Sequence, residues 1–193
     1  MRRSMVSMLV LAGVLSTRLA AQSEGTSAAA GAWTLGLAAT LGAGWQIEGA
    51  DLGVVRGVRA GPFRYVSLVA RLGSFVDQAA VFGGSRGFVA GASVGGRTRL
   101  ARLAEFGTET SSNPIGVDLT VEAVGYLASN SPLPQGSPWA ALSILPGVRL
   151  GDADGTRYGL LLGPTVFFGP TTDVRAFLGV RFEAPLARRE RHP

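Results

Sequence analysis

Cysteine is absent from this chain of 193 residues, lysine is absent too, and histidine occurs once, at His192. Without cysteine the protein can form no disulfide, thiolate metal site, cysteine nucleophile or lipid-modified cysteine. A serine-hydrolase triad or a histidine-based metal site needs an imidazole held inside the fold, whereas His192 lies next to the C-terminal residue. The sequence therefore predicts a protein that is not an enzyme and that has neither a metal site nor a cofactor.

Charge is also scarce, since charged residues make up only 16% of the chain. All 18 basic residues are arginine, and removal of the first 21 residues leaves 15 of them against 13 acidic residues. No basic patch carries interleaved aromatic residues, so the sequence does not predict a nucleic-acid partner. No apolar stretch after the N-terminal segment is long enough to cross a membrane as a helix.

The first 21 residues have the layout of a secretory signal peptide. Arg2 and Arg3 precede the short apolar run MVSMLVLAGVL at 5–15, and Ala21 follows as the expected last residue before cleavage. We therefore predict a signal peptide at 1–21 and export from the cytoplasm. Small residues at 22–31 predict a flexible segment ahead of the folded domain.

Apolar side chains recur at every second position along most of the remaining chain. In GAWTLGLAATLGAGWQIEGA at 31–50, every second residue from Trp33 to Ile47 is apolar, and the residues between them are small or polar. Such alternation indicates β-strands with one apolar face. Eight segments carry it: 33–48, 52–60, 66–73, 88–100, 115–123, 140–150, 158–168 and 174–183.

Turn-forming residues separate these segments. Glycine, proline, asparagine and aspartate tolerate the dihedral angles of turns, and they are concentrated at 49–53, 60–63, 77–86, 107–114, 129–138, 151–155 and 169–173. Every connection is short enough for a hairpin. We therefore predict an all-β fold, an eight-stranded antiparallel up-and-down transmembrane β-barrel over residues 32–184, followed by a basic tail at 185–193.

One segment does not fit the alternation. In 52–60, either parity places an arginine, Arg56 or Arg59, on the apolar face. A β-bulge near Val54–Val55, or a position of Arg59 at the rim of the barrel, would each resolve the conflict. The sequence does not decide between them.

Several features predict that the apolar face points outward, toward lipid. The segments are longer than soluble strands, which usually have about 5–6 residues. Their other face consists mainly of glycine, alanine, serine and threonine, as the narrow interior of a small barrel requires. Aromatic residues near strand ends predict the girdles that membrane barrels carry at both interfaces. These residues are Trp33, Trp45, Phe88, Tyr158, Phe168 and Phe182.

On these features the chain resembles the small eight-stranded outer-membrane barrels of Gram-negative bacteria, such as the outer-membrane protein A and X types, over about residues 32–184. The resemblance implies a location in the cell outer membrane, with outer-membrane lipid and the barrel-assembly machinery as partners. Such proteins tend to end on an aromatic residue that the machinery reads. The stretch VRAFLGVRF, ending at Phe182, matches that pattern, but EAPLARRERHP follows it.

Ionisable residues recur on the face opposite to the apolar one. An unpaired charge in a narrow, dry lumen costs several kcal/mol, so these residues are expected to pair. We expect Glu122 to pair with Arg97 or Arg99 across the fourth and fifth strands, and Glu48 to point inward as well. The predicted lumen ion pairs involve Arg71, Arg97, Arg99, Asp118, Glu122, Arg149, Arg175, Arg181 and Glu183.

Together these features predict an outer-membrane barrel with a structural or surface-interaction role, and a lumen filled by small residues and arginine–acid pairs. One alternative is a narrow channel or porin. A second is a soluble periplasmic lipocalin-like barrel that binds an apolar ligand. The sequence does not identify a surface ligand.

Overall fold

The computed structural model describes residues 31–58, 61–76, 87–108, 111–128, 139–151, 155–169 and 172–186. The predicted signal peptide at 1–21, most of the segment at 22–31, the connections at 77–86 and 129–138, and most of the tail at 185–193 lie outside the described residues. Eight strands are present: β1 Gly31–Leu41, β2 Gln46–Gly57, β3 Tyr65–Val76, β4 Gly87–Thr108, β5 Ser111–Ala128, β6 Trp139–Leu150, β7 Arg157–Phe168 and β8 Asp173–Pro185.

The strands form one closed sheet, in which each strand pairs antiparallel with its neighbours in the chain and β8 pairs with β1. This confirms the predicted all-β, eight-stranded antiparallel barrel. None of the described segments is a helix long and apolar enough to cross a membrane.

The strand registers are staggered by ten residues around the barrel. Following the paired residues from strand to strand around the barrel, the path that starts at Ala32 on β1 reaches Arg175 on β8. Because Leu41 pairs with Ala176, Arg175 lies opposite Gly42, which is ten residues after Ala32. A stagger of about ten residues at about 3.3 Å each, across eight strands about 4.8 Å apart, corresponds to a strand tilt of about 40°. An eight-stranded barrel of this kind has an interior just wide enough for side chains to fill.

The first hairpin turns earlier than the sequence predicts. β1 ends at Leu41 and β2 begins at Gln46, and the turn between them contains Gly44 with a φ of 80°. Glycine adopts this left-handed conformation without steric cost. The predicted turn at 49–53 is wrong, because these residues lie inside β2. The alternation of apolar residues continues through 42–45, so the pattern gave no sign of the turn.

This earlier turn reverses the faces of the residues that follow it. Asp51 points inward and is only 1% exposed, whereas Glu48, which the sequence pattern placed inside, is exposed on the outer face. The register also resolves 52–60, because the pairs of β2 with β1 and β3 run without a bulge and leave Arg56 exposed at the end of the strand. Arg59 lies outside the described residues.

The hairpin of β4 and β5 is longer than predicted. β4 has 22 residues and β5 has 18, so most of the predicted connection at 107–114 is strand. Pro114 pairs with Glu105 within this ladder. Residues 98–108 extend beyond Tyr65–Arg97, the last pair that β4 makes with β3. Proline is tolerated at such sparsely paired edges, which is why the turn-like composition was misleading.

Pro146 and Pro164 interrupt the pairing of β6 with β7. The ladder has partners at Ser143–Thr165 and again at Gly147–Leu161, with none between them. Proline lacks the N–H that a ladder needs, and the sequence accordingly predicts a defect here. Both prolines are exposed on the outer face, so the defect leaves the inward side chains in register.

The even number of strands gives the barrel two different ends. We call the end at which β1 begins and β8 finishes the terminal end, and the opposite one the loop end. Strands β2, β4 and β6 end at the terminal end, and strands β1, β3, β5 and β7 end at the loop end.

Candidate functional site

The lumen is where the chain concentrates its polar chemistry, and most of its inward aromatic and charged side chains lie in three layers. The layer at the loop end is an aromatic plug, which we define as Trp45, Phe75, Tyr126, Trp139 and Phe167. Phe167 is fully buried and lies at the centre of the plug, with ring centroids 5.5 Å from Trp45, 5.7 Å from Tyr126 and 6.5 Å from Trp139. Stacked and edge-on contacts at these distances are the arrangements that aromatic rings favour.

Arg175 covers the plug from the loop end. Its guanidinium lies 3.3 Å from the centroid of the Trp45 ring, donates a hydrogen bond to the Trp45 carbonyl, and forms an ion pair of 2.7 Å with Asp173. The prediction that Trp45 belongs to an outer girdle is wrong. Trp45 lies in the turn after β1, outside the strand, and packs against the interior cluster.

The middle layer is a network of four charges, which we call the central network: Asp51, Arg71, Glu122 and Arg181. Arg71 donates to both carboxylate oxygens of Asp51, at 2.6 and 2.8 Å. Arg181 donates to both oxygens of Glu122 and, at 3.1 Å, to Asp51. Two arginines thus face two carboxylates, and Tyr126 accepts a further hydrogen bond from Arg71 at 2.9 Å.

The layer nearest the terminal end is a second group of charges, which we call the terminal network: Arg97, Arg99, Arg149, Arg157, Asp118 and Glu183. Glu183 accepts from Arg97 at 2.6 Å and pairs with Arg149 at 2.8 Å. Asp118 accepts from Arg149 at 2.7 Å and from Arg99 at 3.2 Å. The guanidinium of Arg157 lies 3.8 Å from Glu183.

Tyr65 adds an aromatic face to the terminal network. Its ring centroid lies 4.5 Å from the guanidinium carbon of Arg97 and 5.3 Å from that of Arg157. The negative face of a ring attracts a cation, and desolvation strengthens that attraction. Tyr65 therefore helps to stabilise these two buried guanidinium groups.

Eight of the nine predicted lumen ions lie in the central and terminal networks, whereas Arg175 lies at the loop end and pairs with Asp173. Glu122 does not pair with Arg97 or Arg99, because its neighbour on β4 is Gly95. It reaches across the lumen to Arg181 on β8 instead. The ten-residue stagger of the barrel brings these β5 and β8 side chains to one level.

Sequence reasoning missed two lumen ions, Asp51 and Arg157. Asp51 was assigned to the wrong turn, although Ile47 and Val55 on the same strand share its inward parity. Arg157 precedes the segment that began at Tyr158, but it lies two residues before Gly159 and has the same parity. Extending the alternation of β7 by one residue would have found Arg157, whereas Asp51 is assigned to the interior only once the turn is placed at 42–45.

The other five predicted girdle residues lie on the outer face, in two bands. Trp33, Tyr158 and Phe182 are near the terminal end, and the rings of Tyr158 and Phe182 contact each other at 5.3 Å between centroids. Phe88 and Phe168 are near the loop end. All five are between 37% and 54% exposed.

The chain matches no family model, no curated protein and no solved structure.

Within the described residues, no group of three or more histidine, cysteine, aspartate or glutamate side chains could hold a metal ion. The arrangement is instead suited to blocking a bore. The lumen holds an aromatic plug, an apolar cluster of Ala38, Leu145, Leu161 and Phe177, and two layers of arginine–carboxylate contacts. Such contacts fix geometry as well as charge, because the guanidinium fork matches the carboxylate.

Proposed function

We propose that this protein spans the outer membrane as an eight-stranded barrel with a closed lumen, and that its role is structural or lies in interactions at the surface. One observation carries the proposal: the distribution of charge is inverted relative to a soluble barrel. On the described outer face of the strands, charged side chains occur only at Glu48 and Arg56, at opposite ends of β2, and on the β4–β5 hairpin beyond β3. The interior holds ten buried or partly buried ions of the central and terminal networks.

The outer face between the two ends is apolar on every strand. Its large hydrophobic residues include Leu37 at 71% exposure, Leu68 at 60% and Leu162 at 57%. Soluble proteins rarely expose continuous apolar surface beyond a few hundred Å2. A hydrocarbon surrounding removes this cost, and a closed sheet leaves no unpaired backbone edge in lipid.

The spacing of the aromatic bands supports a membrane of ordinary thickness. Tyr158 and Phe168 lie ten residues apart on β7. At about 3.3 Å per residue and a tilt of about 40°, this separation is about 25 Å along the barrel axis, equal to the apolar band of known membrane barrels. The two bands would then lie at the two interfaces, where aromatic rings are favoured.

Fractionation of cells that express the full chain tests this proposal. We expect the protein in the detergent-extracted outer membrane, migrating faster on a gel before boiling than after it, because a closed barrel resists unfolding by detergent at room temperature. Recovery as a freely soluble periplasmic protein would contradict the proposal. That result would favour the lipocalin-like alternative, although the plug and the networks leave little interior space for an apolar ligand among the described residues.

Planar-bilayer recordings test the closed lumen separately from the location. We expect little or no steady current, because the aromatic plug lies in series with two layers of paired charges. Insertion is verified by recovering the heat-modifiable band from the same membranes. A stable, ohmic conductance would show that the lumen opens and would favour the channel alternative, with the outer-membrane location unchanged.

A further inference from the structure

Four of the five rings of the aromatic plug are held by strands, and the fifth is not. Phe75, Tyr126, Trp139 and Phe167 lie on β3, β5, β6 and β7, whose ladders fix their backbones. Trp45 lies in the turn between β1 and β2. Its indole ring nevertheless packs edge-on against Phe75 and Phe167, with ring centroids 5.7 and 5.5 Å apart. One part of the plug therefore belongs to a connection and not to the wall of the barrel.

The backbone of this turn has few attachments. The ladder of β1 and β2 ends at the pair Thr40–Ile47, and residues 42–45 make no backbone–backbone hydrogen bond to the other described parts of the chain. At the tip of the turn, a Cβ placed on Gly44 would meet no described atom within 4 Å. Segments with few backbone hydrogen bonds and little packing open at a lower free-energy cost than the strands around them. Side chains must therefore hold the turn in place.

Arg175, near the start of β8, provides this attachment. Its guanidinium donates hydrogen bonds to the carbonyl oxygens of Trp45 and Ala43, the second at 3.1 Å, and lies 3.3 Å from the centroid of the Trp45 ring. Asp173 anchors the guanidinium through two contacts, at 2.9 Å from Nε and 2.7 Å from Nη2. Gly42 permits this close approach, because a Cβ there would overlap the guanidinium. One side chain thus ties two carbonyls of the turn and its indole ring to β8.

We propose that the turn at 42–45 is a hinged lid on the loop end of the lumen, with Trp45 as the ring that enters the bore and Arg175 as the latch. When the lid opens, Trp45 leaves the other rings of the plug, and water from the loop end reaches the apolar cluster beneath them, including Ile47. The central network stays closed, because all four of its ions lie on strands. The lid therefore governs access to the aromatic layer and not passage through the barrel. The inference goes beyond the proposed function and holds whatever surrounds the barrel, because it concerns only the loop end of the lumen.

Thiol labelling tests the lid, because the chain has no cysteine of its own. Ile47→Cys places one thiol at a position that is 2% exposed and lies in the cluster against which Trp45 packs. A water-soluble maleimide, added to the protein folded in detergent micelles, reacts with this thiol only when the lid is open. Arg175→Met removes two hydrogen bonds and the cation–π contact, so we expect it to make labelling about tenfold faster or more.

Gly42→Ala tests the latch without removing a charge. The added methyl group takes space that the Arg175 guanidinium occupies, so we expect this variant to speed labelling as well, and it keeps the test decisive if Arg175→Met fails to fold. Arg56→Met is the matched control, since Arg56 is exposed at the terminal end of the strand that carries Ile47. It is expected to leave the labelling rate unchanged.

The variant Leu145→Cys separates opening of the lid from opening of the barrel. Leu145 is fully buried in the cluster beside the central network, where Phe177 lies 5.1 Å from the Arg71 guanidinium, and we expect its thiol to remain unlabelled in every variant. Labelling of Ile47→Cys that neither Arg175→Met nor Gly42→Ala accelerates would overturn the proposal. Labelling of Leu145→Cys at the same rate as Ile47→Cys would also overturn it, because the whole barrel and not the turn would then be opening.

Discussion

Leu37→Arg and Leu162→Arg are each expected to destabilise the barrel folded in lipid by about 2–4 kcal/mol. This is the cost of an arginine on the lipid face at the bilayer midplane. Both leucines point outward near mid-height, on β1 and β7, on opposite sides of the β8 strand. Neither touches the lumen networks. The measurement is equilibrium unfolding by denaturant in lipid vesicles.

Val174→Arg provides the matched control. Val174 is 62% exposed on the same outer face, but it lies at the loop end of β8. Near an interface the same substitution costs only about 0–1 kcal/mol. In a water-soluble barrel, all three substitutions would fall within about 0.5 kcal/mol of zero, as exposed substitutions usually do. A depth-dependent loss therefore supports lipid around the barrel, and three equal small values contradict it.

The sequence pattern was sufficient to assign charged side chains to the interior in the strands whose turns were predicted correctly. Along β6 and β8 the period-two alternation assigns Arg149, Arg175, Arg181 and Glu183 to the interior, and all four point there. Alternation is a local property that follows directly from strand geometry. The closed eight-stranded sheet could be predicted for the same reason, since seven hairpin connections leave few other topologies.

The wrong predictions lie where the apolar alternation continues through a turn of the backbone. The turn at 42–45 carries the apolar alternation straight through, so the sequence extended β1 to Ile47 and assigned Trp45 to the outer face. A single positive φ at Gly44 is what turns the chain. Because side chains alternate strictly, a displaced turn changes the face of every residue in the following segment, and Asp51 was lost from the predicted lumen for that reason.

The pairing of charges could not be predicted from any one strand. Glu122 contacts Arg181, which is 59 residues away in sequence, because the stagger of the whole barrel sets which inward side chains share a level. That stagger is the sum of eight registers, and no local pattern encodes it. The composition of the lumen was therefore predictable, whereas its ion pairs were not.

Glu122→Gln is expected to destabilise the folded barrel by about 3–5 kcal/mol, the usual cost of removing one partner of a buried ion pair. Glu122 is fully buried and accepts two hydrogen bonds from Arg181. Its neutralisation leaves Arg71 and Arg181 with Asp51 as their shared carboxylate in the central network. Denaturant unfolding in vesicles or micelles measures the loss.

Glu105→Gln is the control for the loss of a carboxylate as such. Glu105 pairs with Arg102 on the β4–β5 hairpin at 2.7 Å, but both side chains are at least 40% exposed. Exposed pairs contribute about 0–1 kcal/mol because water and salt screen them. A loss for Glu122→Gln no larger than that for Glu105→Gln would mean that water reaches the central network.

The double variant Glu122→Gln with Arg181→Met separates the contact from the penalty of an unpaired charge. Replacing a buried ion pair by neutral residues of similar volume is often close to neutral in stability, whereas removing one partner is not. We therefore expect the double variant to recover most of the stability that Glu122→Gln loses. A double variant whose loss of stability equals the sum of the two single losses would contradict this expectation, because it would show that Glu122 and Arg181 contribute independently, with no coupling energy between them.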